Sequence, residues 1–272
     1  MRTTALSILV SLSVIVLSAQ TVHRPVGAAY TRAGTYTLKG ADVFSYAANQ
    51  AALANCTSPT VGIYGERRFL LHELSFYHLV TAIPTSSGNF GFNASYSGSA
   101  PYNDAQVGLA YGRKLGTLLS VGAQFNYYSM QVAGYGRSSA VNLEAGFLLH
   151  LSEQLHAGFH VYNPTGSSLS KGEEEKLASV YNMGVGYEAS EKFFTGVEIQ
   201  KTEGAEINVL GSLQYKFDRK LFARAGFASV SSTYHLGAGV LLNQLRLDVT
   251  ASVHPQLGIT PGLLLIYNGP EK

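Results

Sequence analysis

Charge is scarce in this chain. Asp, Glu, Lys and Arg make up 13% of its 272 residues, against about 25% in an ordinary soluble domain. A β protein with polar faces in water should carry more Lys and Glu, so the scarcity weighs against a soluble sandwich. The formal net charge is +2, which provides neither a basic face for nucleic acid nor an acidic tail. The single cysteine, Cys56, excludes an intramolecular disulfide framework. It reads as a small, partly buried residue, far from any anchor site and outside any catalytic pattern. Tryptophan is absent, so tyrosine alone would have to form aromatic girdles at a membrane surface. No apolar run approaches the ~20 residues of a transmembrane helix. No paired-carboxylate, Ser-His-Asp or phosphate-loop pattern stands in a usable context, which points to a non-enzymatic protein without a cofactor. A lipid hydrolase would need a Ser/His pair near a rim, and the sequence places none.

Alternation is what the chain has. In Ala140–Pro164, Val141, Leu143, Ala145, Phe147, Leu149 and Leu151 fall on one face, opposite Asn142, Glu144, Gly146 and His150. After the turn Ser152-Glu153-Gln154, Leu155, Ala157, Phe159 and Val161 oppose His156, Gly158, His160 and Tyr162. Successive side chains of a strand point to opposite faces, so this stretch is a hairpin. About fourteen such runs follow one another from Val61 onward, which means a sandwich or a barrel.

The connections separate these two. Short turns such as 114–116, 190–192, 218–220 and 243–244 alternate with longer segments at 132–139, 164–178 and 230–233. Short turns at one rim and longer loops at the other describe an outer-membrane barrel. Strands of about 9–11 residues are long enough to cross a bilayer at a tilt, and closure leaves no unpaired edge in lipid. The expected fold is therefore an all-β, closed antiparallel transmembrane barrel over residues 61–268, with a tail at 269–272. An even strand count puts both termini at the short-turn rim, in the periplasm.

Ahead of the barrel, Arg2, the apolar run Ala5–Leu17 and Ser18-Ala19-Gln20 read as an export signal over residues 1–19. Residues 20–60 differ from the rest. Alanine favours a short helix near 48–54, with Asn49 at its start.

Val121, Phe125, Tyr127, Val141, Leu143, Phe147, Leu245, Leu247, Val249, Ile259, Leu263 and Leu265 form the expected lipid face. Gln124 and Asn126 fall on the other. A lipid-facing Arg or Lys at the midplane would cost about 2–4 kcal/mol, so Glu144, Glu198, Lys216, Arg224, Arg246 and Asp248 are assigned to a lumenal charge network. His156 and His160 stand about 13 Å apart along a strand, too far to share one metal ion, and read as lumenal polar residues. His78 falls on the apolar face, which places it near a rim. The longest loop, with Asn163, Lys171, Glu173 and Glu174, is the expected extracellular contact surface.

Three stretches resemble one family. Gly40-Ala41-Asp42 with Asn49-Gln50-Ala51-Ala52-Leu53-Ala54 resembles the "G-A-D … N-P-A-A/G-L-A" segment of FadL-like barrels and their PorV/PorQ relatives, with Gln50 in place of the usual Pro. Tyr162-Asn163-Pro164-Thr165-Gly166 with Gly184-Val185-Gly186-Tyr187 resembles the "N-P-T-G … G-x-x-Y" stretch of the PorV/PorQ group. His254-Pro255-Gln256-Leu257-Gly258-Ile259-Thr260 is similar to their final hairpin. The resemblance implies a fourteen-stranded barrel of a Bacteroidota-type outer membrane, in contact with its lipid. It also implies that residues 20–60 plug the lumen, with Asp42, Asn49 and Leu53 as plug or gate residues. PorV/PorQ-type members serve type IX secretion as non-enzymatic subunits with secretion-machinery partners. FadL-type members pass hydrophobic small molecules such as fatty acids. The short loops and charged lumen favour the secretion subunit, with the hydrophobic-solute channel as the alternative.

Overall fold

The computed structural model describes residues 29–169 and 176–270. Within them fourteen antiparallel strands close into one barrel, each paired with its sequence neighbours and the last with the first. The strands are β1 (Thr60–Arg67), β2 (Ser75–Thr85), β3 (Gly88–Ser99), β4 (Tyr102–Leu115), β5 (Leu119–Val132), β6 (Gly136–His150) and β7 (Leu155–Tyr162). They continue with β8 (Val180–Glu188), β9 (Phe193–Thr202), β10 (Ile207–Lys216), β11 (Leu221–Ala228), β12 (Thr233–Leu242), β13 (Leu245–His254) and β14 (Gly258–Asn268). The seam is formed by β1 and β14, in register from Thr60↔Asn268 to Glu66↔Gly262. The export-signal residues 1–19 lie outside the described residues.

Alternation works as the period of two demands. On β13, Asp248 is 0% exposed while its neighbour Val249 is 62% exposed. Phe125, Tyr127, Val141, Leu143, Phe147, Leu245, Leu247, Ile259, Leu263 and Leu265 are exposed on the outer wall, and Val121 is half-exposed. An outer wall made of aliphatic and aromatic side chains is stable only against hydrocarbon. Tyrosine rings band it at two heights. Tyr111, Tyr187, Tyr215 and Tyr267 are exposed near the rim of short turns. Tyr77, Tyr96, Tyr102, Tyr181 and Tyr234 are exposed near the opposite rim. Amphipathic rings at two levels mark the two interfaces of a bilayer. No described helix is long and apolar enough to span a membrane.

Two expectations change. Residues 136–139 belong to β6, joined to β5 by the three residues 133–135. Their polar sequence Gly-Arg-Ser-Ser looked like a loop, yet they continue the register with β5, where Gln131 pairs with Arg137. His78 points inward and is 3% exposed, with its ring 5.7 Å from Phe44 and 6.0 Å from Phe76. Inward neighbours Phe76, Val80 and Ala82 are themselves apolar, so hydropathy gave no sign of which side of β2 faces the lumen.

Candidate functional site

The lumen is filled by residues 29–56, which enter from the short-turn rim beside Thr60. Two single-turn helices, Ala29–Arg32 and Ser45–Ala48, and a 3₁₀ helix, Gln50–Asn55, carry this plug. Asn49 caps the 3₁₀ helix by accepting from Ala51 N at 3.1 Å. Its amide donates to the backbone carbonyls of Phe147 and Phe159, both at 3.2 Å, and so ties the cap to β6 and β7. The wall makes room at Gly122, where a Cβ would stand 2.6 Å from Ala51 N. Leu53 is fully buried in an apolar cluster with Phe44, Tyr46, Val80 and Ala82.

Polar side chains hold the plug along one side. Asp42 Oδ2 lies 2.8 Å from Arg246 Nη1 and 3.1 Å from Arg224 Nη2. Arg246 in turn grips Asp248 with Nε at 2.9 Å and Nη2 at 2.5 Å, and Tyr30 donates to Asp248 Oδ2 at 2.9 Å. Arg224 also donates to Gly40 O at 3.1 Å and Gln214 Oε1 at 2.5 Å. Phe222 lies under both guanidiniums, its centroid 4.5 Å from Arg246 Cζ and 5.6 Å from Arg224 Cζ. Two carboxylates and two guanidiniums balance in charge, which is the condition for keeping ions out of water. Burial raises the pKa of Asp42, but the two arginines outweigh it and hold the carboxyl below its ordinary value.

Glu198 forms a second anchor, paired with Arg32 and accepting from Tyr36 Oη at 2.8 Å. Glu144 forms a third, and no arginine or lysine takes part. It accepts from Gln50 Nε2 at 2.6 Å, Asn126 Nδ2 at 2.6 Å and Gln124 Nε2 at 3.1 Å, and His160 Nε2 lies 2.9 Å away. Asn182 Oδ1 accepts from Gln200, so its amide nitrogen faces His160 Nδ1 at 2.9 Å. His160 therefore accepts at Nδ1 and donates from Nε2 to Glu144.

The six lumenal residues read from the sequence thus divide. Asp248, Arg224 and Arg246 meet at Asp42; Glu198 and Glu144 stand in separate clusters. Lys216 joins none of them: at the short-turn rim it donates to Lys39 O at 3.2 Å. Asn163 is buried rather than displayed, donating to Leu177 O at 2.6 Å and accepting from Ser167 N at 3.0 Å. Its φ of 51° suits an Asn in the left-handed region. Lys171, Glu173 and Glu174 lie outside the described residues. His156 and His160 have separate partners, and no metal-binding group of three or more ligands occurs among the described residues.

One cluster escaped the sequence reading. Ser120 Oγ lies 3.1 Å from His150 Nε2, His150 Nδ1 lies 3.2 Å from His156 Nδ1, and His156 Nε2 is 3.7 Å from Glu188 Oε2. Glu188 Oε1 accepts from Leu38 N at 2.6 Å and Lys39 N at 2.7 Å. Ser120 is 0% exposed and His150 is half-buried, and the four residues form a polar ladder near the short-turn rim. His150 and His156 pair across the β6–β7 turn, but only the barrel register adds Ser120 and Glu188, and no local motif announced the set. Cys56, at the plug's end, is partly buried, and burial pushes its thiol up to about 12.

The other side of the plug is apolar. Val43 and Phe44 pack against Tyr64, Phe76, Val80, Leu264 and Ile266. Gly62 makes this approach feasible: a Cβ there would stand 2.7 Å from the Phe44 ring and 2.8 Å from Val43 Cγ1. Among the described residues, the plug's hydrogen bonds run to β3, to β6–β11 and to β13; toward β2 the Thr81 backbone bonds the Tyr46 hydroxyl, while Val43 and Phe44 make no hydrogen bond to β1, β2 or β14. Above the plug a cavity of about 530 Å3 opens between Arg68, Phe69, Leu74, Phe76, Asp104, His235 and His254.

A closed fourteen-strand antiparallel barrel with a short helical segment ahead of β1 is the architecture of FadL-type outer-membrane barrels. Solved structures of similar fold include a TodX deltaS2S3 mutant monoaromatic hydrocarbon channel, with a TM-score of 0.68 at 10% identity over 89% of this chain and 99% of that one. The Pseudomonas putida toluene transporter TodX gives 0.65 at 9% identity over 85% and 95%. The Ralstonia pickettii toluene transporter TbuX gives 0.59 at 9% identity over 83% and 92%. At these identities the likeness is one of fold. No protein-family description matches the chain, and no curated protein matches it by sequence.

Proposed function

We propose that this protein is a non-enzymatic outer-membrane channel for small hydrophobic molecules, held shut by its own N-terminal segment. The observation that carries the reading is the two-sidedness of the plug. Along β14, β1 and β2 the lumen is lined by Leu264, Ile266, Tyr64, Phe76, Val80 and Ala82, and the plug fills it there with Val43, Phe44 and Leu53. Phe76 also lines the open cavity above. A shift of Val43 and Phe44 breaks no hydrogen bond to that wall and joins the cavity to an apolar track. The solved channels of similar fold are described as carrying monoaromatic hydrocarbons or toluene, and toluene is the natural probe. Purified barrel in lipid vesicles should pass toluene slowly, and Phe44→Ala should raise the rate several-fold. Rates equal to those of protein-free vesicles for both proteins would end the channel reading.

A secretion-accessory role of the PorV/PorQ kind is the second reading. It is favoured by the buried ion pairs that fasten the plug, since a permanently plugged barrel serves as an attachment subunit. Native mass spectrometry after gentle extraction from the source membrane separates the two. A protein partner at fixed stoichiometry supports the accessory role, and a lone barrel with a bound apolar molecule supports the channel.

A further inference from the structure

We propose a binding site for an anionic membrane lipid on the outer wall of the barrel, at the seam between β14, β1 and β2. The wall is indented there by a groove of about 590 Å3 lined by Ile63, Gly65, Arg67, Tyr77, Pro261, Leu263 and Leu265 among others. Gly65 forms the floor. It pairs with Leu263 on one side and Tyr77 on the other, so two large side chains flank a position with none. Toward the short-turn rim the outward residues of β1 are Val61 and Ile63, both exposed. The β1–β14 register stops at Glu66↔Gly262, one residue short of Pro261, which has no N–H to continue it.

The occupant follows from the two ends of the groove. Its body is apolar and faces hydrocarbon, so an acyl chain fills it. Its upper end is Arg67, two residues beyond Gly65 on the same face and therefore ~7 Å nearer the loop rim. Arg67 is exposed and has no carboxylate partner among the described residues, in contrast to Arg68, whose Nε lies 2.8 Å from Glu66 Oε1. Tyr77, beside Gly65, belongs to the upper tyrosine band, so Arg67 stands at headgroup height. An unpaired guanidinium at that level, above an acyl-sized groove, matches a lipid with a net negative, phosphate-bearing headgroup. This site lies outside the lumen and does not depend on whether the barrel conducts.

The test is native mass spectrometry of the full barrel in micelles doped with equal amounts of phosphatidylglycerol and phosphatidylcholine. The wild type should retain phosphatidylglycerol as a one-to-one adduct at least several-fold over phosphatidylcholine. Arg67→Ala should abolish that preference. Gly65→Val should lower retention of both lipids, because a Cβ at 65 meets Tyr77 at an ordinary 3.4 Å and fills the groove without a clash. Unchanged heat-modifiable migration on gels would show that both variants fold. Equal retention of the two lipids by the wild type, or an unaltered preference in folded Arg67→Ala, would overturn the proposal.

Discussion

The two halves of the lumen hold the same plug by opposite means. From β6 to β13, carboxylates, guanidiniums and amides reach the plug through directed bonds at Asp42, Glu198, Glu144 and Glu188. From β14 through β1 to β2, contact is made by aromatic and aliphatic surface, with one hydrogen bond between the Thr81 backbone and the Tyr46 hydroxyl. Directed bonds between buried charges fail abruptly when one partner moves. Apolar contact is non-directional and scales with area, so it tolerates a slide. A plug so mounted is fixed along one edge and free along the other, which is the mechanical requirement of a door.

The largest effect should come from breaking the fixed edge. Asp42→Ala leaves Arg224 without its carboxylate and Arg246 with Asp248 alone, and removing one partner of a buried ion pair costs about 3–5 kcal/mol. Urea unfolding of the vesicle-inserted barrel checks this. The same pair imposes a pH dependence. The folded carboxyl of Asp42 has a lowered pKa, so its contribution is complete above the unfolded carboxylate value of ~3.9. It is lost as pH falls through the lower folded value. Acid unfolding below about pH 4 should therefore be less steep in Asp42→Ala than in the wild type.

Glu144→Leu comes next. It leaves Gln50, Asn126 and His160 donors buried without their acceptor, and an unsatisfied buried donor costs about 1–3 kcal/mol. On the free edge, Val43→Ala removes two methyl groups and should cost only about 2 kcal/mol by transfer and cavity together. The smallest effect belongs to Lys39→Ala. Its pair with Glu191 is solvent-exposed at the short-turn rim, and thermal unfolding should not resolve the variant from the wild type.

This contrast also explains what the sequence could convey. Where the inner wall is polar, alternation separates inside from outside residue by residue: Gln124, Asn126, Glu144 and Asp248 face in, while Phe125, Leu143 and Val249 face out. Along β2 both faces are apolar, so the period of two survived while its phase was ambiguous, and His78 was placed outside. Strand positions were legible, apart from the start of β6, because each depends on local alternation. The clusters were not, because Asp42 meets Arg224 and Arg246 across 182 and 204 residues of sequence. Ser120 and Glu188 likewise join the hairpin pair His150 and His156 only through barrel register. Residues 136–139 were missed for a third reason. Above the lipid the outer wall needs no apolar side chain, and a strand there is indistinguishable from a polar loop.

One labelling experiment tests the two-sided plug most directly. In a Cys56→Ser background, Val80→Cys and Asn182→Cys place a thiol on the inner wall of the free and the fixed edge in turn. An apolar maleimide added from the loop-rim side of the folded barrel should modify the thiol at 80 measurably faster than the thiol at 182. Phe44→Ala should speed the first and leave the second unchanged. Equal rates at the two positions, or an equal response of both to Phe44→Ala, would contradict a plug that opens along β14, β1 and β2.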